Sequence, residues 1–166
     1  NILYYFAGNP PDDGQQGSRA AYNIGYKKGY NWNRLDERFD LSKTPNEPNR
    51  FGWVVEINPL DPNSVPKKRT ALGRLYHESA NPTLSHDNRV VIYMGDDGAF
   101  EFLYRFVSHG RYDPEAENHD LLDEGELSVA QFFEDGSLVW IPLIYGQHGL
   151  DESNGFKSQS DVLIDA

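Results

Sequence analysis

Cysteine is absent from the 166 residues. Without thiols this span has no disulfide framework and no thiolate metal site. No run approaches the ~20 apolar residues needed to cross a bilayer, so membrane insertion is not expected. Positive charge is scarce: 15 Lys and Arg stand against 26 Asp and Glu, a net charge of −11. An anionic surface repels nucleic acid and anionic lipid, so neither is expected as a specific partner. The same charge attracts cations, and simple solubility or a calcium-rich site would each account for it. No signal peptide is visible and the first residue is Asn1, not Met. The span is therefore expected to be processed, truncated or part of a longer chain.

Several catalytic signatures are also missing. There is no P-loop and no Gly-x-Gly-x-x-Gly fingerprint, which argues against nucleotide binding. There is no Gly-x-Ser-x-Gly elbow, so Ser79 is a weak candidate for serine hydrolase chemistry. His109, His119 and His148 fall in expected polar loops, and no two histidines have the spacing of a helical zinc site.

Aromatic residues and turn formers are abundant. Aromatics reach 13% and Gly numbers 15, while hydrophobic residues total 38%, below the usual ~45–50%. That balance suits short strands with many turns rather than a helical bundle. Residues 1–8 read as a short strand, residues 9–18 as a loop, and residues 35–41 as one helical turn or irregular chain. The first strong strand is Phe51 to Ile57, where Val54 and Val55 are β-branched. Pro59, Pro62 and Pro66 make a rigid connection, and Lys68 to Glu78 is the next strand candidate. Arg89–Met94 and Phe100–Val107 form an expected hairpin around Gly95-Asp96-Asp97-Gly98. Gly125–Phe133 and Leu138–Leu143 form another around Glu134-Asp135-Gly136. Ser160 is a candidate N-cap for a short terminal helix. Recurring hairpins suit a propeller or a sandwich. The expected fold class is all-β, with residues 1–166 forming part of a β-propeller of antiparallel hairpins and long loops.

Three constellations could carry chemistry. The stretch Lys67-Lys68-Arg69-Thr70-Ala71-Leu72-Gly73-Arg74-Leu75-Tyr76-His77-Glu78 combines basic residues with a His-Glu pair. An arginine fork matches two phosphate oxygens. If the stretch is a strand, Arg74, Tyr76 and Glu78 share one face; the alternative is a solvated face with an ordinary ion pair. In Met94-Gly95-Asp96-Asp97-Gly98, adjacent carboxylates in a turn could hold a hard cation, or simply close a hairpin. Glu56, within an apolar strand, is either paired, metal-bound or turned to solvent.

Taken in order, these segments resemble the PhoX family of alkaline phosphatases. The resemblance is carried by Pro45-Asn46-Glu47-Pro48-Asn49-Arg50-Phe51-Gly52-Trp53-Val54-Val55-Glu56-Ile57-Asn58-Pro59, by Lys68-Arg69-Thr70-Ala71-Leu72-Gly73-Arg74 and by His77-Glu78. It continues through Val90-Val91-Ile92-Tyr93-Met94-Gly95-Asp96-Asp97, Tyr104-Arg105-Phe106-Val107-Ser108, Leu122-Asp123-Glu124-Gly125-Glu126-Leu127 and Trp140-Ile141-Pro142-Leu143. The resemblance implies an exported β-propeller, periplasmic or secreted, that hydrolyses phosphate esters with Ca²⁺ and Fe³⁺. It implies Glu78 as the leading metal ligand, Asp96 and Asp97 as further ligands, and Arg69, Arg74 and His77 in phosphate-gripping or supporting roles. The family usually carries a Cys-Glu-Glu segment upstream and a Met-Asp-Arg-Pro-Glu segment downstream. Neither occurs here, and Asn58 stands where the family often has Asp, so the remainder of the same polypeptide is the expected partner in completing a metal cluster. Competing expectations are a non-catalytic propeller that binds cations or other proteins, and a calcium-dependent lactonase or phosphotriesterase.

Overall fold

The computed structural model describes residues 4–25, 29–116, 118 and 120–166; His119 lies outside them. The chain divides into two compact units, Asn1–Gly52 and Trp53–Ala166.

The first unit is built from turns. It holds a short helix α1, Gln16–Ala21, and 3₁₀ turns at Trp32–Arg34, Glu37–Phe39 and Glu47–Arg50. Its core is aromatic and aliphatic: Phe6, Tyr22, Ile24 and Leu41 are buried. Rings do the packing that strands do elsewhere. Tyr5 stacks on Trp32 at 4.7 Å, and Phe6 meets Phe51 edge-on at 5.3 Å, geometries that suit the ring quadrupoles. Arg19 is buried and holds Asp13 through two hydrogen bonds of 2.8 and 2.6 Å. That pairing brings the Asp13 carboxyl down to about 2. The strand expected over residues 1–8 does not form among its described residues. Ala7 makes a single parallel bridge with Asp40 instead.

The second unit carries the sheets. β1 (Val54–Glu56) pairs antiparallel with β2 (Lys67–Arg69). A separate antiparallel meander runs β3 (Asn81–Leu84), β4 (Arg89–Gly95), β5 (Leu103–Arg111), β6 (Gly125–Phe132) and β7 (Leu138–Pro142), each strand beside the next. Helix α2, Gln159–Ile164, follows, with Ser158 rather than Ser160 as its cap. Both hairpins read from their turn residues are present at β4–β5 and β6–β7.

The expected all-β propeller is nevertheless a mistaken reading. Among the described residues there are two small open sheets, of two and five strands, mixed with α-helices and 3₁₀ turns. β3 and β7 remain edges, so the larger sheet does not close on itself. The physical reason lies in where alternation occurs. Only the β4–β7 stretch sustains period-2 patterning; before it, prolines and glycines break most of the chain into turns, leaving only the short strands β1, β2 and β3.

Alternation places Ile92, Met94, Tyr104, Phe106 and Leu127 on one face of the sheet, where they bury against Leu72 and Leu75. Full burial of a side chain of this size contributes roughly 1.5–3 kcal/mol. Gly125 is required at the register position opposite Ser108. A Cβ there would strike the Phe106 ring and the Val107 carbonyl. Gly125→Ala is therefore expected to destabilise the protein by about 1–3 kcal/mol, the scale of core overpacking. Denaturant unfolding measures this; an unchanged midpoint would show that the Phe106 ring gives way freely.

Candidate functional site

The two stretches richest in candidate chemistry, residues 67–78 and 94–98, meet in the second unit. The path between them differs from the expected strand. β2 ends at Arg69; Thr70–Leu72 forms a 3₁₀ turn, and Gly73 follows at φ 79°. A Cβ on Gly73 would lie 2.8 Å from the Leu127 side chain, so both its conformation and its space require glycine. Leu72 and Leu75 are both buried. That spacing of three, rather than two, overturns the strand over Lys68–Glu78 and the shared face for Arg74, Tyr76 and Glu78.

Arg69 sits at the base of this segment, 1% exposed. Its Nε donates to Glu56 at 2.7 Å and its Nη1 to Asp123 at 2.6 Å. Burial pulls its pKa down, but the hydrogen bonds it donates to Asp123 and Glu56 outweigh it and raise the pKa overall. Glu56 is thus paired with Arg69 and at the same time turned toward solvent, two of the alternatives its place in an apolar strand left open. Arg74 is also buried, and its backbone N–H donates to Leu163 of α2 at 2.8 Å. Burial raises the pKa of Asp165, Asp161 adds to this, and the Arg74 charge opposes it.

Beyond Leu75 the chain docks on the end of β4. His77 and Asp96 form an antiparallel bridge. The Glu78 N–H donates to Gly95 O at 3.1 Å, and the Asp97 N–H donates to Tyr76 O at 3.0 Å. Four candidate residues, His77, Glu78, Asp96 and Asp97, are thereby brought onto two adjacent backbone segments. The Asp96 carboxylate accepts from the Gly98 N–H at 2.7 Å and from the Tyr76 N–H at 3.3 Å. It shapes the turn and anchors the neighbouring segment at once. Glu78 and Asp97 are exposed.

His77 is half-buried. Its Nε2 lies 3.2 Å from Gly73 O, which makes Nε2–H the donor and leaves Nδ1 as a lone pair. Nδ1 is buried without a hydrogen-bond partner. Burial lowers the His77 pKa; the Gly73 carbonyl and Asp96 oppose it more weakly. Tyr104 and Glu101 complete the surroundings and were not read from the sequence. Tyr104 is buried, and its hydroxyl pKa is raised by burial first, then by Asp96 and Glu101. Its alternation with Phe106 was the signal that could have placed it on the core face.

The carboxylate cluster expected for a metal is not assembled here. Among the described residues no group of three or more His, Asp or Glu converges on one point. A hard cation takes about six to eight oxygens, and each Asp96 oxygen already accepts one backbone N–H. These residues alone do not fit a calcium or iron site. His109 and His148 are exposed, and His109 lies on β5 rather than in a loop.

The His77 environment has a pH consequence. Its pKa in the folded protein is lowered from 6.5, so the unfolded chain takes up a proton first as pH falls. His77 therefore favours folding fully above pH 6.5, and this contribution is lost as pH drops toward the lower native pKa. His77→Gln keeps a donor for Gly73 O and removes the titration. The variant is expected to show a flatter stability profile between about pH 7 and pH 5, measured by urea unfolding at each pH. A slope equal to wild type would remove His77 as its source.

The chain matches the family described as Alkaline phosphatase PhoX over residues 1–166. Among solved structures it is similar to Pseudomonas fluorescens PhoX in complex with vanadate, a transition state analogue. The TM-score is 0.88 at 42% sequence identity, over 98% of this chain and 30% of that chain. The chain thus spans less than a third of the length of that relative. No curated protein matches it. Among the described residues no helix is long and apolar enough to cross a membrane. Identity at this level across nearly every residue, with the ordered segments from Pro45 to Leu143 running through it, establishes that the chain belongs to the PhoX family of alkaline phosphatases.

Proposed function

We propose that the whole protein is a phosphate monoester hydrolase of the periplasm or the secreted fraction, dependent on calcium and iron. The span 1–166 supplies one carboxylate-bearing wall of its site. The observation that carries this reading is the junction itself: Tyr76–Glu78 is hydrogen-bonded to Gly95–Asp97, in a chain 42% identical to a PhoX protein that binds vanadate. In that reading Glu78 and Asp97 are the available ligands, because their side chains are exposed and can exchange water for a cation. Asp96 holds the turn that presents them. Further oxygen donors come from outside these residues. Bound metal ions would supply charge neutralisation at the phosphate and a reactive oxygen near neutral pH.

His77 serves this wall as a neutral, half-buried spacer whose backbone bridge to Asp96 lies beside the Glu78–Gly95 hydrogen bond. Arg69 and Arg74 enter as buried cations that hold the segment in place. The burial of both side chains and the engagement of Arg69 by two carboxylates favour this over direct phosphate contact.

Two outcomes are expected in the full-length protein. Purified protein should hydrolyse p-nitrophenyl phosphate and lose that activity on chelation. Glu78→Gln should then lower bound calcium or iron and activity together by at least about tenfold, the scale of lost support at a metal site. Elemental analysis beside the activity assay checks this, with circular dichroism confirming the fold. Full metal content and full activity in Glu78→Gln would remove Glu78 from the site, and hydrolysis indifferent to chelation would sink the metal-dependent reading. Separately, Arg74→Lys should lower the melting temperature while leaving vanadate affinity within about twofold, because Lys keeps the charge but loses the planar fork. Weaker vanadate binding at an unchanged melting temperature would instead give Arg74 a direct contact.

A further inference from the structure

The turn between β4 and β5 holds an aromatic residue in an unfavourable state. Phe100 is 102% exposed, more than any other large hydrophobic side chain among the described residues. Its φ is 70°. The other non-glycine residues at positive φ among the described residues are Asn23, Asn31, Asn88 and His148. Asn and His enter the left-handed region comparatively often, whereas a bulky residue there is an outlier. Neither burial nor backbone preference accounts for Phe100. The sequence placed it at the start of a strand, but β5 begins only at Leu103.

The turn itself is anchored. The Gly98 N–H donates to the Asp96 carboxylate at 2.7 Å, the Glu101 N–H to Gly98 O at 3.2 Å and the Asp96 N–H to Phe102 O at 3.2 Å. A Cβ on Gly98 would strike the Glu101 side chain. The Phe102 ring meets Tyr104 edge-on at 6.4 Å, and Tyr104 is buried. The same turn carries Asp97, one of the two exposed carboxylates of the junction. Three residues of chain keep the Cα atoms of Asp97 and Phe100 within about 11 Å of each other. Backbone strain of this kind collects at active sites and ligand clamps.

We propose that Phe100 is a lip that contacts the alcohol portion of the phosphate ester, and that the preferred substrates carry an aromatic, uncharged alcohol. The inference rests on the reading of the whole protein as a phosphate monoester hydrolase. Hydrolysis breaks the P–O bond to the alcohol, joins phosphorus to a water oxygen and releases the alcohol with a proton. The phosphate is confined to the charged wall, so the alcohol is the part of the substrate left to meet a neighbouring apolar side chain. A ring there gains from edge or offset contact with Phe100. Asp97 and Glu101 flank Phe100 in the chain and are exposed. Their charge disfavours an alcohol that bears a second anionic group.

The test uses the full-length protein with its metals and two esters whose leaving alcohols are of similar acidity, benzyl phosphate and methyl phosphate. Phe100→Ala is expected to lower the benzyl-to-methyl ratio of kcat/KM by about three- to tenfold, the scale of one aromatic contact. Phe100→Tyr is expected to keep most of that ratio. Calorimetric affinities for benzylphosphonate and methylphosphonate read the same preference without turnover and are expected to follow it. Phe100→Gly is expected to lower the ratio as Phe100→Ala does while the melting temperature holds or rises, because glycine adopts this backbone conformation freely. Hydrolysis of both esters with a ratio indifferent to residue 100 would overturn the lip and leave the phosphatase reading standing. So would a melting temperature that drops in Phe100→Gly with the ratio unchanged, which would give Phe100 a packing role. Hydrolysis of neither ester by the wild type would defeat the functional reading, and the lip with it.

Discussion

A single buried guanidinium organises the second unit. Arg69 bridges Glu56 on β1 and Asp123 in the turn before β6 while sitting on β2 itself. Three segments far apart in the chain are held by one side chain. The arrangement is tolerable because the two carboxylates are 45% and 48% exposed, so only the guanidinium gives up most of its water, and it is matched by two charge-assisted hydrogen bonds. Pairs of this kind owe their importance to geometry more than to net stabilisation, since desolvation offsets much of the Coulomb gain.

The rest of the segment follows from that anchor. With Arg69 fixed, the chain turns through Thr70–Leu72 and places Leu72 in the core beside Ile92 and Phe106. Gly73 allows the reversal, Leu75 enters the same core, and Tyr76–Glu78 emerges at the end of β4 to bridge Gly95–Asp97. The carboxylates of Glu78 and Asp97 are thus presented by backbone hydrogen bonds, not by a flexible loop. Side chains held on rigid elements are what a metal or phosphate site requires of its supports.

Family membership and the local geometry address different scales. Similarity to a PhoX structure over 98% of this chain speaks to the path of the backbone and to ancestry. The junction at His77 and Asp96 speaks to local geometry, bringing the exposed carboxylates of Glu78 and Asp97 and a half-buried histidine onto adjacent segments.

What the sequence determined by itself was local. Asp-Asp-Gly and Glu-Asp-Gly between β-branched and aromatic runs were enough to locate both hairpins, because turn geometry and alternation act over a few residues. The residue types at Glu78, Asp96 and Asp97 were equally legible. Three things were decided only by the tertiary structure. The partnership of Arg69 with Asp123 spans 54 residues and has no local signal. The stretch from Arg69 to Glu78 reads as a strand by composition, yet it turns at Gly73 because burying both Leu72 and Leu75 outweighs strand propensity. The expected propeller gave way to two open sheets and turns, because period-2 patterning constrains which face of a strand is buried but not how many strands join or whether their sheet closes.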